Sequence, residues 1–380
     1  MTEKNMLPQN HDDGNYISKT QGEMLLEMIA ISGEYPAENI TRLIDAPSYA
    51  KKVVSKLLGK GQIKTVYKNS VRGYRLTIKG KRQLMAENPD RFEGILEGVG
   101  DTNKFRSDLP RRLRLHSLAQ VYTLMLNTEA EIFQDNKQMI FGDSSQSLRE
   151  ISEYDPHCLS TPCFYSSREQ KGDDEKSNAI QGSRAAGTIM TNDHAYAVYN
   201  TGNTHISWGE KVEERYKTEI NSNLERLYRH KLYAGNPLKG ILIGERMESL
   251  ERYWLEKKKK GSGLSFLANA FPDFYYVTND VHGEKQLKLL YDSDEKARVE
   301  KWVTEKFEPT NTNCPVIHDA LTENGNPVLF CYLLNIPRLL RYFNGLARYD
   351  KNGTVITLNS QTDVLRRYLG NRVDYKTLNF

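Results

Sequence analysis

The chain has 380 residues, 38% of them hydrophobic and 27% charged, with a formal net charge of +4 at pH 7. These proportions exclude a wholly disordered chain, and the length allows two or three domains, each with its own core. A net charge this small excludes a chain coated in positive charge, so any basic surface must be local.

Residues 1–18 are polar, with Pro8 and Gly14, and are expected as a disordered tail. They carry no apolar core of the kind a signal peptide needs. The longest apolar run, near 328–336, is far short of a membrane span. Four cysteines, Cys158, Cys163, Cys314 and Cys331, are too few and too scattered for a disulfide framework. A cytoplasmic protein with reduced thiols and no membrane partner is the expectation.

Thr20 and Glu23 have the spacing of a capping box ahead of Met24, Leu25, Met28 and Ile29, which predicts a first helix stopped at Gly33. Pro36 and Ala37 open a short second helix carrying Ile40, Leu43 and Ile44. Pro47 and Ser48 then open a third.

The third helix begins the most unusual stretch of the chain. Residues 46–85 hold eleven lysines and arginines and no aspartate or glutamate. Ala50, Val53, Val54, Leu57 and Leu58 make one apolar stripe, which leaves Lys51, Lys52, Ser55 and Lys56 on the solvent side. Gly59 and Gly61 close the helix. Alternation follows, with Ile63, Val66 and Tyr67 before a polar turn containing Gly73, and Tyr74, Leu76 and Ile78 after it. Three helices and a basic two-stranded ribbon are the layout of a winged helix over residues 19–92. A solvated surface normally mixes both signs of charge, and this one does not, so duplex DNA is the expected partner. The candidate DNA-binding residues are Ser48, Lys51, Lys52, Ser55, Lys56, Lys60, Lys64, Lys68, Arg72 and Arg75.

The string from Gly73 to Gly80, GYRLTIKG, resembles the second wing strand of many bacterial winged-helix regulators, where Tyr-x-Leu-Thr-x-Lys-Gly runs into a closing helix. With a larger α/β region behind it, the chain resembles the replication-relaxation family of Gram-positive plasmids and integrative elements. That resemblance implies a role in plasmid replication or conjugative DNA processing, and a relaxase or replication protein as partner.

Residues 94–110 contain three glycines and a proline and read as a linker, within a linker-and-helix segment spanning 93–150. Arg111, Arg112, Arg114 and His116 then lead an apolar helix through Leu118, Val121, Tyr122, Met125 and Leu126. Lys104 and Arg106 extend this cluster. A cationic helix start opposes the macrodipole, so Arg111, Arg112 and Arg114 are further candidates for phosphate contact.

Residues 151–380 read as an α/β domain with a mixed sheet, broken by a polar, mobile loop near 166–182. Strands are predicted over 188–190, 195–199, 240–244, 274–277, 328–332 and 354–358. Helices are predicted over 211–233, 247–257, 295–306, 337–346 and 361–369.

Chemistry is harder to find. The eight histidines include no His-x-His pair of the relaxase kind, His205-Ile206-Ser207 being the nearest failure. No phosphate-cradling loop occurs, and Lys257 to Lys260 before Gly261-Ser262-Gly263 has the wrong order. A restriction-endonuclease-like fold needs a Pro-Asp and, on the next strand, Asp/Glu-x-Lys around Mg²⁺. Pro272-Asp273 and Asp294-Glu295-Lys296 fit in outline, but 294–296 falls at a predicted helix start, where acids cap. An inactive relative of that fold, kept for binding, is the better version. His157, Cys158, Cys163, Cys314 and His318 are weak structural zinc candidates. Tyr196, Tyr199, Trp208, Tyr275 and Tyr276 are expected in the core, with stacking on single-stranded bases as the alternative.

The sequence therefore predicts a duplex-DNA-binding accessory protein of a plasmid or mobile element, without cofactor and without enzymatic activity. Two alternatives stand beside it. One is a metal-dependent nuclease or nicking enzyme with its site in 183–380; the other is a transcription regulator with a ligand-sensing carboxy-terminal domain.

Overall fold

The computed structural model describes residues 20–98, 101–104, 108–137, 140–141, 161–171, 182–192, 194–202, 209–229, 237–255, 269–307 and 313–378. The chain is α+β with mixed sheets and divides into two units, one ending at Asn103 and the other beginning at Lys104. The expected amino-terminal tail, and most of the loop expected near 166–182, lie outside the described residues.

In the first unit, helix α1 (Gln21–Ser32) starts on the Thr20–Glu23 box. Glu23 N donates to Thr20 Oγ1 at 3.3 Å, and Thr20 N donates to Glu23 Oε2 at 2.8 Å. Gly33 closes the helix at a φ of 83°. A two-residue strand β1 (Tyr35–Pro36), a single 3-10 turn and the short helix α2 (Ile40–Leu43) lead to α3 (Pro47–Gly59). Strands β2 (Ile63–Lys68) and β3 (Val71–Leu76) form a hairpin, and β1 adds to the far side of β3, giving the antiparallel order β1-β3-β2. The turn is Asn69-Ser70, with φ of 51° and 60°, the two positive values of a type I′ turn. Gly73, expected in the turn, lies instead inside β3, opposite Val66.

The GYRLTIKG string has a physical explanation at its end. Thr77 donates to the Gly61 carbonyl at 2.6 Å and accepts from Gly80 N at 3.2 Å, so it caps α4 (Ile78–Glu87). Gly80 packs directly on the Gln62 backbone, where a Cβ would collide with the Gln62 carbonyl oxygen.

The stretch expected as a linker is divided between the two units. Helix α5 (Pro89–Leu96) buries Phe92 and Leu96 in the first unit, and Arg91 pairs with Glu27 of α1 at 3.2 Å. Thr102 Oγ1 donates to Ala30 O at 2.5 Å, and Asn103 Oδ1 accepts from Leu76 N at 3.3 Å. These residues clasp the carboxy-terminal end of α1, whose last carbonyls lack helical partners. Glycines in a polar stretch suggested a free connection, but side-chain hydrogen bonds hold Thr102 and Asn103 in place.

The second unit opens with α6 (Leu109–Asn127), so the helix expected as part of a linker belongs to this body. Strands β4 (Cys163–Ser166), β5 (Ala185–Met190) and β6 (Ala195–Gly202) run antiparallel in sequence. β6, β7 (Lys239–Gly244) and β8 (Phe274–Thr278) are parallel, giving the order β4-β5-β6-β7-β8. Helices α7 (Glu210–Arg229) and α8 (Met247–Leu255) are the crossovers, as parallel pairing requires. Two further helices, α9 (Val281–Tyr291) and α10 (Ser293–Thr304), follow β8.

A second mixed sheet was not anticipated. It contains β9 (Ala320–Leu321), β10 (Pro327–Phe330), β11 (Gly353–Leu358) and β12 (Val373–Leu378), in the order β12-β11-β10-β9. Helix α11 (Ile336–Arg348) lies between β10 and β11, and α12 (Asn359–Leu369) between β11 and β12. The sheets meet where Tyr276 N donates to Leu334 O at 3.1 Å. Two buried amides reinforce the junction. Gln286 Nε2 donates to Tyr276 O and Leu333 O at 2.7 and 2.9 Å, and Gln361 Nε2 donates to Tyr332 O at 2.9 Å and Gln286 Oε1 at 3.3 Å. One apolar core serves both sheets, from Tyr216 of α7 to Leu365 of α12. No helix among the described residues is long and apolar enough to cross a membrane.

Candidate nucleic-acid interface

Helix α3 is amphipathic because its apolar residues recur at three- and four-residue spacing. Ala50, Val53, Val54 and Leu57 are buried, while Ser48, Lys51, Lys52, Ser55, Lys56 and Lys60 are exposed. Ser48, Lys52 and Ser55, at i, i+4 and i+7, run along the middle of the exposed side, with Lys51 and Lys56 at its two edges. Pro47 occupies the first turn, where its missing N–H is not needed.

The hairpin carries the same character outward. Ile63 pairs with Leu76, Thr65 with Tyr74 and Tyr67 with Arg72, and these rungs share one face of the ribbon. Ile63, Tyr74 and Leu76 are buried against the helices, whereas Tyr67, 70% exposed, and Arg72 lie beyond them. Lys64 and Lys68 are exposed on the opposite face. Among the described residues, Lys51, Lys52, Lys56, Lys60 and Arg72 meet no carboxylate. Helix face and ribbon together expose a run of cations, from Lys51 to Arg72.

Two of the expected contact residues are excluded from this surface. Arg75 is 1% exposed, and its Nε donates to Glu34 Oε2 at 2.8 Å. The register explains the pair, since Tyr35 lies opposite Tyr74 and therefore brings Glu34 alongside Arg75. Arg112 is also 1% exposed. With His116 and Ala119 it follows i, i+4, i+7 on the buried side of α6, while Arg111 and Arg114 remain exposed. Arg111 and Arg114 belong to the second unit, so the helix face and the hairpin form one body without them. Lys104 is exposed and Arg106 lies outside the described residues. Sequence reasoning overlooked two tyrosines beside the cations, Tyr49 at 50% exposure and Tyr67. Their signal was an aromatic off the apolar stripe in an acid-free stretch.

The second unit does not assemble the metal chemistry that the short motifs suggested. Asp273 precedes β8, where Asn335 Nδ2 donates to its Oδ1 at 2.6 Å and Lys239 lies 3.5 Å from its Oδ2. Asp294, Glu295 and Lys296 sit in the first turn of α10, with helix α9 intervening, so no neighbouring strand presents them. Among the described residues no group of three or more His, Cys, Asp and Glu side chains is placed to hold a metal ion. Cys163 is buried in β4, and burial pushes its thiol up to about 11. Cys331 is pushed up to about 12 by the same cause. Neither is a thiolate near neutral pH, the form that binds metal or attacks. His318 Nδ1–H donates to Val316 O at 2.8 Å, and Cys314 is half-buried. His157, Cys158, His205, Trp208 and Lys257 to Lys260 lie outside the described residues.

Tyr196, Tyr199, Tyr275 and Tyr276 are at most 4% exposed, because both faces of the five-stranded sheet are covered. They are core residues, and stacking on bases is excluded for them as folded. Glu213, 2% exposed on α7, accepts from Ser183 Oγ at 2.7 Å and Arg184 N at 2.8 Å. Burial holds its pKa above the usual carboxylate range.

No family model, no curated protein and no solved structure matches this chain.

Proposed function

We propose that the chain binds duplex DNA through its amino-terminal unit, used as a winged helix, and serves as an accessory protein in replication or conjugative DNA processing of a plasmid or mobile element. One observation carries the reading: the exposed face of α3, with Arg72 on the hairpin beside it, presents Lys51, Lys52, Lys56 and Lys60, which like Arg72 meet no carboxylate among the described residues. An α-helix fits the major groove, and a basic ribbon beside it can follow the adjoining backbone. The resemblance of GYRLTIKG to a wing strand, and of the chain to the replication-relaxation family, supplies the biological setting and a relaxase or replication protein as partner. The nuclease alternative gains no support from Asp273, which is engaged by Asn335 and Lys239.

The test is the affinity of the full chain for selected and scrambled duplexes across a salt series. Lys52→Ala or Ser55→Ala should cost about 1–3 kcal/mol on the selected site and relax preference at one position. Lys68→Ala or Arg72→Ala should weaken all duplexes alike and lower the salt slope by about one. A folded protein with no duplex affinity at low salt would overturn the reading.

A further inference from the structure

Tyr49 is half exposed in the first turn of α3, off the buried stripe of Ala50, Val53, Val54 and Leu57. It is not among the buried residues of the helix, and half of its surface faces solvent. With Lys52 and Lys56 it follows i, i+3, i+7, so it stands at one edge of the cationic side of the helix. It is the large uncharged side chain on that side. Attraction to phosphate explains the lysines around it and leaves the ring unexplained. In a helix lying in the major groove, the residues of the first turn are those that approach base edges. The apolar feature available there is the C5-methyl group of thymine, which is read by contact with an apolar or aromatic surface.

We propose that Tyr49 is a specificity-determining residue whose ring packs against a pyrimidine C5-methyl group in the major groove, so that the selected site contains a thymine read by its methyl. The inference rests on the assignment of α3 to the major groove.

The experiment uses the full chain and the duplex it selects from random sequence, with each thymine in turn replaced by deoxyuridine, which removes only the methyl. Wild type should lose about fourfold in affinity at one or two thymines, the worth of one buried methyl. Tyr49→Ala should bind the selected site more weakly, treat thymine and deoxyuridine alike at those positions and keep its affinity for scrambled duplex. Tyr49→Phe should keep the discrimination, since the ring makes the contact. Thermal melts of both variants establish that they fold. Discrimination that survives in Tyr49→Ala, or its absence in a wild type that binds its selected site tightly, overturns this inference and leaves DNA binding standing. Wild type that binds no duplex overturns both.

Discussion

Arg75 and Glu34 sit at 1% and 0% exposure, a buried ion pair inside a unit whose α3 lysines face water. Removing one partner strands a charge in the core, so Arg75→Met or Glu34→Leu alone should each cost about 3–5 kcal/mol. The double change, which leaves no orphan, should recover most of that loss in urea denaturation. It should also leave the salt slope of DNA binding unchanged, in contrast to Arg72→Ala. Glu213 gives a prediction about pH. Its pKa is raised in the folded state from an ordinary 4.5 by burial. Above the ordinary value and below the raised one, the native state holds a proton that the unfolded chain releases. Stability should therefore fall as pH rises through that window, and the cost is fully present above it. Glu213→Gln should flatten that part of the profile, measured as the urea midpoint from mildly acidic to neutral pH. A residual slope of unchanged size would assign the effect to another group.

Single elements show what was legible and what was not. The stripe in α3, the Thr20 box and the alternation of β2 and β3 are local signals, and local signals read directly. Arg75 was misplaced because alternation puts it on the face of Lys64, while its partner lies 41 positions away in sequence. Helix α9 was missed because Gly283 looks like a breaker. The glycine is needed there because α9 crosses so close to Thr278 that a Cβ would strike its carbonyl oxygen. Strand β12 was missed because Asp374, Lys376 and Thr377 are exposed on a sheet edge, leaving little apolar pattern to see. The hairpin turn carries its own test. Ser70 holds a φ of 60°, which costs a residue with a Cβ but not glycine. Ser70→Gly should stabilise the hairpin by about 0.5–1 kcal/mol, seen as a higher melting temperature. No change, or a loss, would mean that the serine hydroxyl stabilises the turn by more than its backbone strain costs.

For the whole molecule, the first boundary was placed short. Composition suggested that the first unit closes near residue 92, yet Leu96, Thr102 and Asn103 belong to it. A fragment of residues 20–103 should fold and keep the duplex affinity of the full chain. One ending at residue 90 loses the Arg91–Glu27 pair and the clasp on α1, and should melt well below it. Equal melting temperatures for the two fragments would show that the clasp contributes nothing. In the second unit, alternating strands and helices were visible, but their partition into two sheets was not. The junction between the two sheets is reinforced by Gln286 and Gln361, which reach backbone carbonyls remote in sequence. In the proposed encounter with DNA, the acid-free stretch would set the direction of approach. With its eleven cations set aside, 42 lysines and arginines face 49 acids in the rest of the chain, a balance of −7. On the proposed function, a phosphate backbone would attract one part of the molecule and repel the remainder while the two are still diffusing together. Productive collisions are selected before contact, so added salt should slow association far more than it hastens dissociation.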